Sequence, residues 1–137
     1  MQTAEQVHPF LANQHWNEAL LEEMSNAGTN GRVGERLVST SDRVNVWLIA
    51  MQPGDRLPFH THVLDYMWCA TTAGKARSRY SDGKVVDMDY SPGDTRHFHF
   101  AKGESMTHDL ENIGKTVLCF TTIEFLDSEN APLGTYA

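Results

Sequence analysis

Cations and cysteines are both scarce in this chain, and each scarcity removes a class of answers. Eleven Lys and Arg against eighteen Asp and Glu leave a formal net charge of −7, which argues against nucleic acid or an anionic membrane surface as a partner. Two cysteines in 137 residues cannot frame a disulfide-rich fold. Cys69 and Cys119 stand in apolar, strand-like surroundings and read as buried thiols rather than a disulfide or a ligand pair. No apolar run approaches the length of a membrane-spanning helix, and the N-terminus lacks a charged head followed by an apolar stretch, so the cytoplasm is the expected compartment. Equally absent are an internal repeat, a low-complexity segment, a Gly-rich phosphate loop and a Ser-His-Asp or Cys-His arrangement. What is present, with 40% hydrophobic residues, suits one domain that buries its core without staples.

The first 30 residues differ in texture from the rest. Between Asn13 and Ala27, Trp16, Leu20 and Met24 recur at helical spacing, joined by Ala19 and Ala27, with Glu18, Glu22 and Glu23 at polar positions. Asn13 caps the predicted helix and Gly28 stops it. Its expected place is the outside of the main body, with an arm to a second subunit as the alternative.

From Gly31 onward the pattern is β almost throughout. Predicted strands cover Arg32–Ser39, Arg43–Met51, Arg56–His62, the stretch from Tyr66, Gly74–Tyr80, Lys84–Tyr90, Thr95–Phe100 and Lys115–Phe125, with turns at Thr40–Asp42, Pro53-Gly54, Ser81–Gly83 and Ser91–Asp94. In Arg43–Met51, Val44, Val46, Leu48 and Ala50 alternate with Arg43, Asn45 and Trp47, and Trp47 spoils the polar side. Lys75, Arg77 and Arg79 share one side of their strand and read as a solvated face. Ala101–Thr107 is a polar loop leading to His108, and the tail from 127 to 137 is polar and turn-like. Short strands at regular intervals without alternating helices indicate a sandwich or barrel.

One strand carries the chemistry. His60 and His62 are two apart in an extended segment, so their imidazoles share a face, and two neutral imidazoles so placed form a metal chelate. By the same parity Tyr66, Trp68 and Ala70 follow the histidines inward, while Asp65, Met67 and Cys69 turn away unless a bulge intervenes. Phe59 and Met51 are expected to line the cavity. In Thr95–Phe100, His97 and His99 share one side and Phe98 and Phe100 the other; burial of the phenylalanines places these two histidines outside the metal site.

Gly54, five residues, His60, Thr61, His62 and later Gly74 resemble the first motif of the cupin superfamily, in which a glycine, five residues, His-x-His, three or four residues, a glutamate, six residues and a glycine follow one another. His108-Asp-Leu-Glu-Asn112-Ile-Gly114 resembles the end of the second motif, and the likeness spans roughly residues 32 to 126. It implies an all-β, single-domain cupin jelly-roll β-barrel over 31–126, preceded by a partly helical segment over 1–30. It also implies a homodimer and one divalent metal ion on His60, His62 and His108. The motif glutamate falls at Tyr66 or Met67, so the implied site has three histidines and no carboxylate. The second motif's histidine would fall near Glu104, four residues before His108; a longer loop accounts for this, with His97 or His99 as the alternative ligand.

Three imidazoles leave the metal its formal +2 and open positions, an arrangement that favours anionic, bidentate oxygen ligands. The expected function is an Fe(II) three-histidine dioxygenase acting on a small anionic or dicarbonyl substrate, with Tyr66 as a catalytic hydrogen-bond donor or acid and Trp68, Phe59 and Met51 against the substrate. A redox-neutral lyase or isomerase using Zn, Ni or Mn, and a non-catalytic small-ligand-binding module, are the alternatives.

Overall fold

Nine antiparallel strands in two facing sheets make up the described body of the molecule. The structure, a computed structural model, describes residues 7–134; residues 1–6 of the N-terminal segment and 135–137 of the tail lie outside it. In chain order the strands are β1 (Arg36–Thr40), β2 (Val44–Met51), β3 (Arg56–His62), β4 (Tyr66–Ala70), β5 (Gly74–Arg79), β6 (Val85–Tyr90), β7 (Thr95–Phe98), β8 (Met106–Asn112) and β9 (Leu118–Phe125). One sheet runs β1-β2-β9-β4-β7 and the other β3-β8-β5-β6. This is the expected jelly roll, its core built from inward residues of both sheets, among them Ile49, Met51, Leu57, Leu118 and Phe120. Among the described residues no helix is long and apolar enough to cross a membrane.

Two local choices differ from the sequence reading. On β2 the buried set is Asn45, Trp47, Ile49 and Met51, whereas Val44, Val46 and Leu48 are half-buried on the outer face. Trp47 decides the phase: its indole is completely buried, and a β-carbon on Gly34 would come within 2.5 Å of Trp47 Cβ, so the chain crosses over it where only glycine fits. Second, Met106–Asn112 is a strand, where a loop was expected up to His108. It pairs with both β3 and β5, and that double pairing overrides a polar composition that reads as loop.

A bulge sets the face of β3. Leu57 pairs with Leu110 and His60 with His108, so three steps on β3 match two on β8. Pro58 supplies the reason, because it has no N–H for the ladder. Leu57 and His60 therefore both point inward.

The helix α1 is shorter than expected, Glu18–Ser25, and it is capped by Asn17, whose side chain accepts from the Leu20 amide at 2.8 Å. Asn13 instead bends the chain locally, accepting from the His15 amide at 2.7 Å. Trp16 leaves the helix to bury itself: its ring stacks on Phe59 at 5.7 Å and its Nε1 donates to the Gly83 carbonyl. Gly83 serves this contact twice, with φ of +93° in its turn and no side chain to collide with Phe10. The segment thus covers the outer face of β3 and β5 of its own chain.

An ion cluster fastens it there. Asp109 Oδ2 accepts from Arg56 Nε and Arg79 Nη1, both at 2.8 Å, while Oδ1 accepts from the Arg79 amide at 2.7 Å. Arg79 also donates to Glu111 and to the His15 carbonyl, and Arg56 forms a two-pronged pair with Glu23, which in turn accepts from the Phe59 amide. Arg79 is accordingly buried, a correction to the solvated face expected for it. The tail is also tied down, since Asn130 donates to the Val63 and Ala101 carbonyls and accepts from the Gly103 amide.

Candidate metal centre

Strands β3 and β8 bring three imidazoles to one point inside the barrel. His60 sits directly across from His108, His62 lies one pleat further on, and the three ring centroids are 4.7 to 5.1 Å apart. One ring nitrogen of each lies within 4.8 Å of the others, and the Nε2 atoms of His62 and His108 are 3.2 Å apart. Two nitrogens bound about 2.1 Å from a metal at right angles would be about 3 Å apart, so this spacing fits adjacent ligands of one ion.

Each ring is held differently. His60 Nδ1 faces the Pro58 carbonyl at 2.8 Å, which keeps the proton on Nδ1 and turns the Nε2 lone pair inward. The bulge that Pro58 creates thus also fixes this tautomer. His62 Nδ1 and His108 Nδ1 are enclosed and have no hydrogen-bond partner among the described residues. Aromatic packing orients them instead: Tyr66 stacks on His62 at 4.0 Å and 11°, and Tyr80 lies 5.3 Å from His108. Ligand histidines whose second nitrogen meets a carboxylate are made more basic by it. His62 and His108 lack that partner, so they leave more positive charge on a bound ion.

Burial keeps all three neutral. It pushes His60 down to about 4 against the pull of the Pro58 carbonyl, and it pushes His108 and His62 well below the ordinary value, with the neighbouring imidazoles adding to the effect. At neutral pH three lone pairs are available without deprotonation. Among the described residues no carboxylate joins them.

The cavity in front of the cluster has a volume of about 60 Å³. Tyr66 is in its wall as the middle of a stack running from His62 to Phe98, the latter 4.6 Å away. Its phenol is held protonated by burial, well above the ordinary range. Trp68 also lines the cavity, edge-on to Tyr90 and Phe120. Phe59 and Met51, expected beside them, are elsewhere. Phe59 belongs to the bulge and faces outward, under Trp16, while Met51 is packed in the core beyond the cavity.

The other candidates for the metal lie outside the cluster. His97 is exposed, and His99 is exposed and paired with Asp65 at 3.0 Å and Glu129 at 3.4 Å. Asp65 is further engaged by the Phe100 amide at 2.8 Å. Arg96, Tyr80 and Tyr90 line the cavity and were missed. For Arg96 the signal was present: it shares strand parity with the inward Phe98. Glu124, behind Tyr66 in the register, is buried and accepts from Trp47 Nε1 at 2.7 Å; burial raises its pKa and the Trp47 and Asn45 hydrogen bonds oppose the rise.

Neither a protein-family model nor a curated protein matches the chain. Solved structures do resemble it. A cupin domain from Bordetella pertussis Tohama I superimposes with a TM-score of 0.57 at 23% identity, covering 66% of this chain and 88% of that one. An uncharacterized conserved protein with a double-stranded β-helix domain from Klebsiella pneumoniae gives 0.53 at 20% identity, covering 73% and 76%. An RmlC-like cupin family protein from Methanocaldococcus jannaschii gives 0.52 at 16% identity, covering 69% and 84%. The fold is the cupin double-stranded β-helix.

Proposed function

We propose that this chain is a metal-dependent cupin enzyme, an Fe(II) three-histidine dioxygenase acting on a small anionic or dicarbonyl substrate. One observation carries the reading: three neutral imidazoles converge inside a cavity that, among the described residues, no carboxylate lines. His60, His62 and His108 would hold the ion through one nitrogen each, and no neighbouring charge would cancel its +2. A bound divalent ion would polarise substrate oxygens as a Lewis acid and, as Fe(II), would also supply electrons to dioxygen.

The chain's own groups divide the remaining work. Tyr66 and Phe98 present flat faces beside the histidines, so a planar enolate or carboxylate fits against them. The Tyr66 phenol stays protonated at neutral pH and so acts by donating a hydrogen bond rather than by giving up its proton. Trp68, Tyr90 and Phe120 keep the inner end dry, which strengthens every charge interaction there.

Elemental analysis of protein purified without added metal tests the site, with His62→Ala as control. Iron near one per chain in the wild type and lost in the variant is the expected result. Anaerobic reconstitution with Fe(II) followed by a β-dicarbonyl panel should then consume oxygen. Equal turnover with Zn(II), independent of oxygen, would move the assignment to a redox-neutral lyase or isomerase, and no turnover with any metal would move it to a ligand-binding module.

A further inference from the structure

The cavity has a second pole. Arg96 on β7 stands opposite Trp68 in the register, two residues before Phe98 and on the same inward side, and its side chain lines the cavity while remaining open to solvent. Its guanidinium carbon lies 4.9 Å from the centre of the Phe98 ring, the ring that continues the stack from His62 through Tyr66. The arginine is thus braced at the rim by the same column of rings that leads to the metal ligands.

Arg56, Arg77 and Arg79 are each paired with carboxylates, whereas among the described residues no Asp or Glu oxygen comes within 4.0 Å of Arg96. Among the described residues that line the cavity there is no Asp, Glu or Lys, and Arg96 is the one arginine. In a chain of net charge −7, an acid-free cavity with a lone cation at its rim is arranged to admit an anion.

We propose that Arg96 receives a carboxylate at the outer end of a small organic acid, whose inner end presents paired oxygens to the metal site. The inference deepens the preceding reading, resting on the cavity as its ligand site, and narrows the substrate class to short-chain oxo acids bearing a free carboxylate. Substrates that are neutral apart from their chelating oxygens would leave the guanidinium unused.

Calorimetry on Zn(II)-loaded protein, which does not consume oxygen, tests this with two near-isosteric probes, 2,4-dioxopentanoate and acetylacetone. The first carries a carboxylate where the second carries a methyl group. Arg96→Gln is expected to weaken binding of the acid about ten- to a hundredfold while changing acetylacetone less than about threefold, the loss of one charge-assisted contact. Arg96→Lys should keep part of the acid preference, because charge survives and the planar fork does not. Equal weakening of both probes, an unchanged preference in Arg96→Gln, or no binding of either probe to the wild type would overturn the proposal. His62→Ala separates this result from the metal reading. Arg96-dependent acid binding that persists undiminished in His62→Ala would sink the metal role and leave the carboxylate anchor standing.

Discussion

Strand β8 puts His108 and Asp109 side by side in sequence and on opposite faces of one sheet, and the two faces are built by opposite rules. Outside, Asp109 is fully buried and both of its oxygens are engaged by Arg56 and Arg79. Inside, the Nε2 atoms of His62 and His108 converge to 3.2 Å with no carboxylate among the described residues of the cavity wall, and Arg96, the one Lys or Arg in that wall, has no carboxylate oxygen of a described residue within 4.0 Å. Satisfied polar groups hold a structure together, whereas unsatisfied ones mark where something else is meant to bind. The outer face fastens; the inner face waits for a ligand.

The sharpest way to break the contrast is to alter the two neighbours separately. Asp109→Ala leaves two guanidinium groups without their shared acid and should cost about 3–5 kcal/mol in chemical denaturation. His108→Ala should abolish metal retention, read by elemental analysis, yet destabilise the metal-free protein by clearly less than Asp109→Ala. Equal losses of stability would show that the inner histidines are structural after all.

A smaller effect concerns acid. Burial would raise the Glu23 pKa, but the hydrogen bonds from Arg56 and the Phe59 amide outweigh it and bring it below the ordinary 4.5. Because the folded value is the lower one, Glu23 stabilises the fold above 4.5, and that contribution disappears as pH falls through its folded value. Thermal unfolding followed from about pH 6 to about pH 3 should therefore lose stability more gently in Glu23→Gln than in the wild type. The smallest effect belongs to the exposed ring near the tail. His99→Gln should leave metal content unchanged and move the unfolding midpoint too little to resolve, since its pairs with Asp65 and Glu129 are open to solvent.

Sequence carried the inner face better than the outer one. His60 and His62 share a face by simple alternation, and the spacing from Gly54 and the His108–Gly114 run tied them to a third ring in a resemblance that the fold matches. Parity also placed Trp68 and Tyr66 inward. Phe59 was expected in the cavity from packing alone, against parity: alternation with His60 turns it outward, and there it is, under Trp16. Parity failed for β2 because Val44, Val46 and Leu48 look like a core face, while the completely buried Trp47 commands the other side. Arg79 was taken for a surface cation because its partners, Asp109 and Glu111, come from thirty residues away on a strand that did not look like one. Long-range pairing is the common cause of these misses: it settles which of two plausible faces is covered, and it leaves no local trace.

The extra residue at Pro58 separates two jobs that a regular ladder would merge. Deleting it would restore two-for-two matching between Leu57–His60 and His108–Leu110, and both imidazoles would still look into the barrel. What would vanish is the carbonyl that grips the outer nitrogen of His60. The ring would be free to swivel, with nothing to choose which of its two nitrogens meets the ion. That single surplus unit in the chain governs aim, while direction was already secure without it.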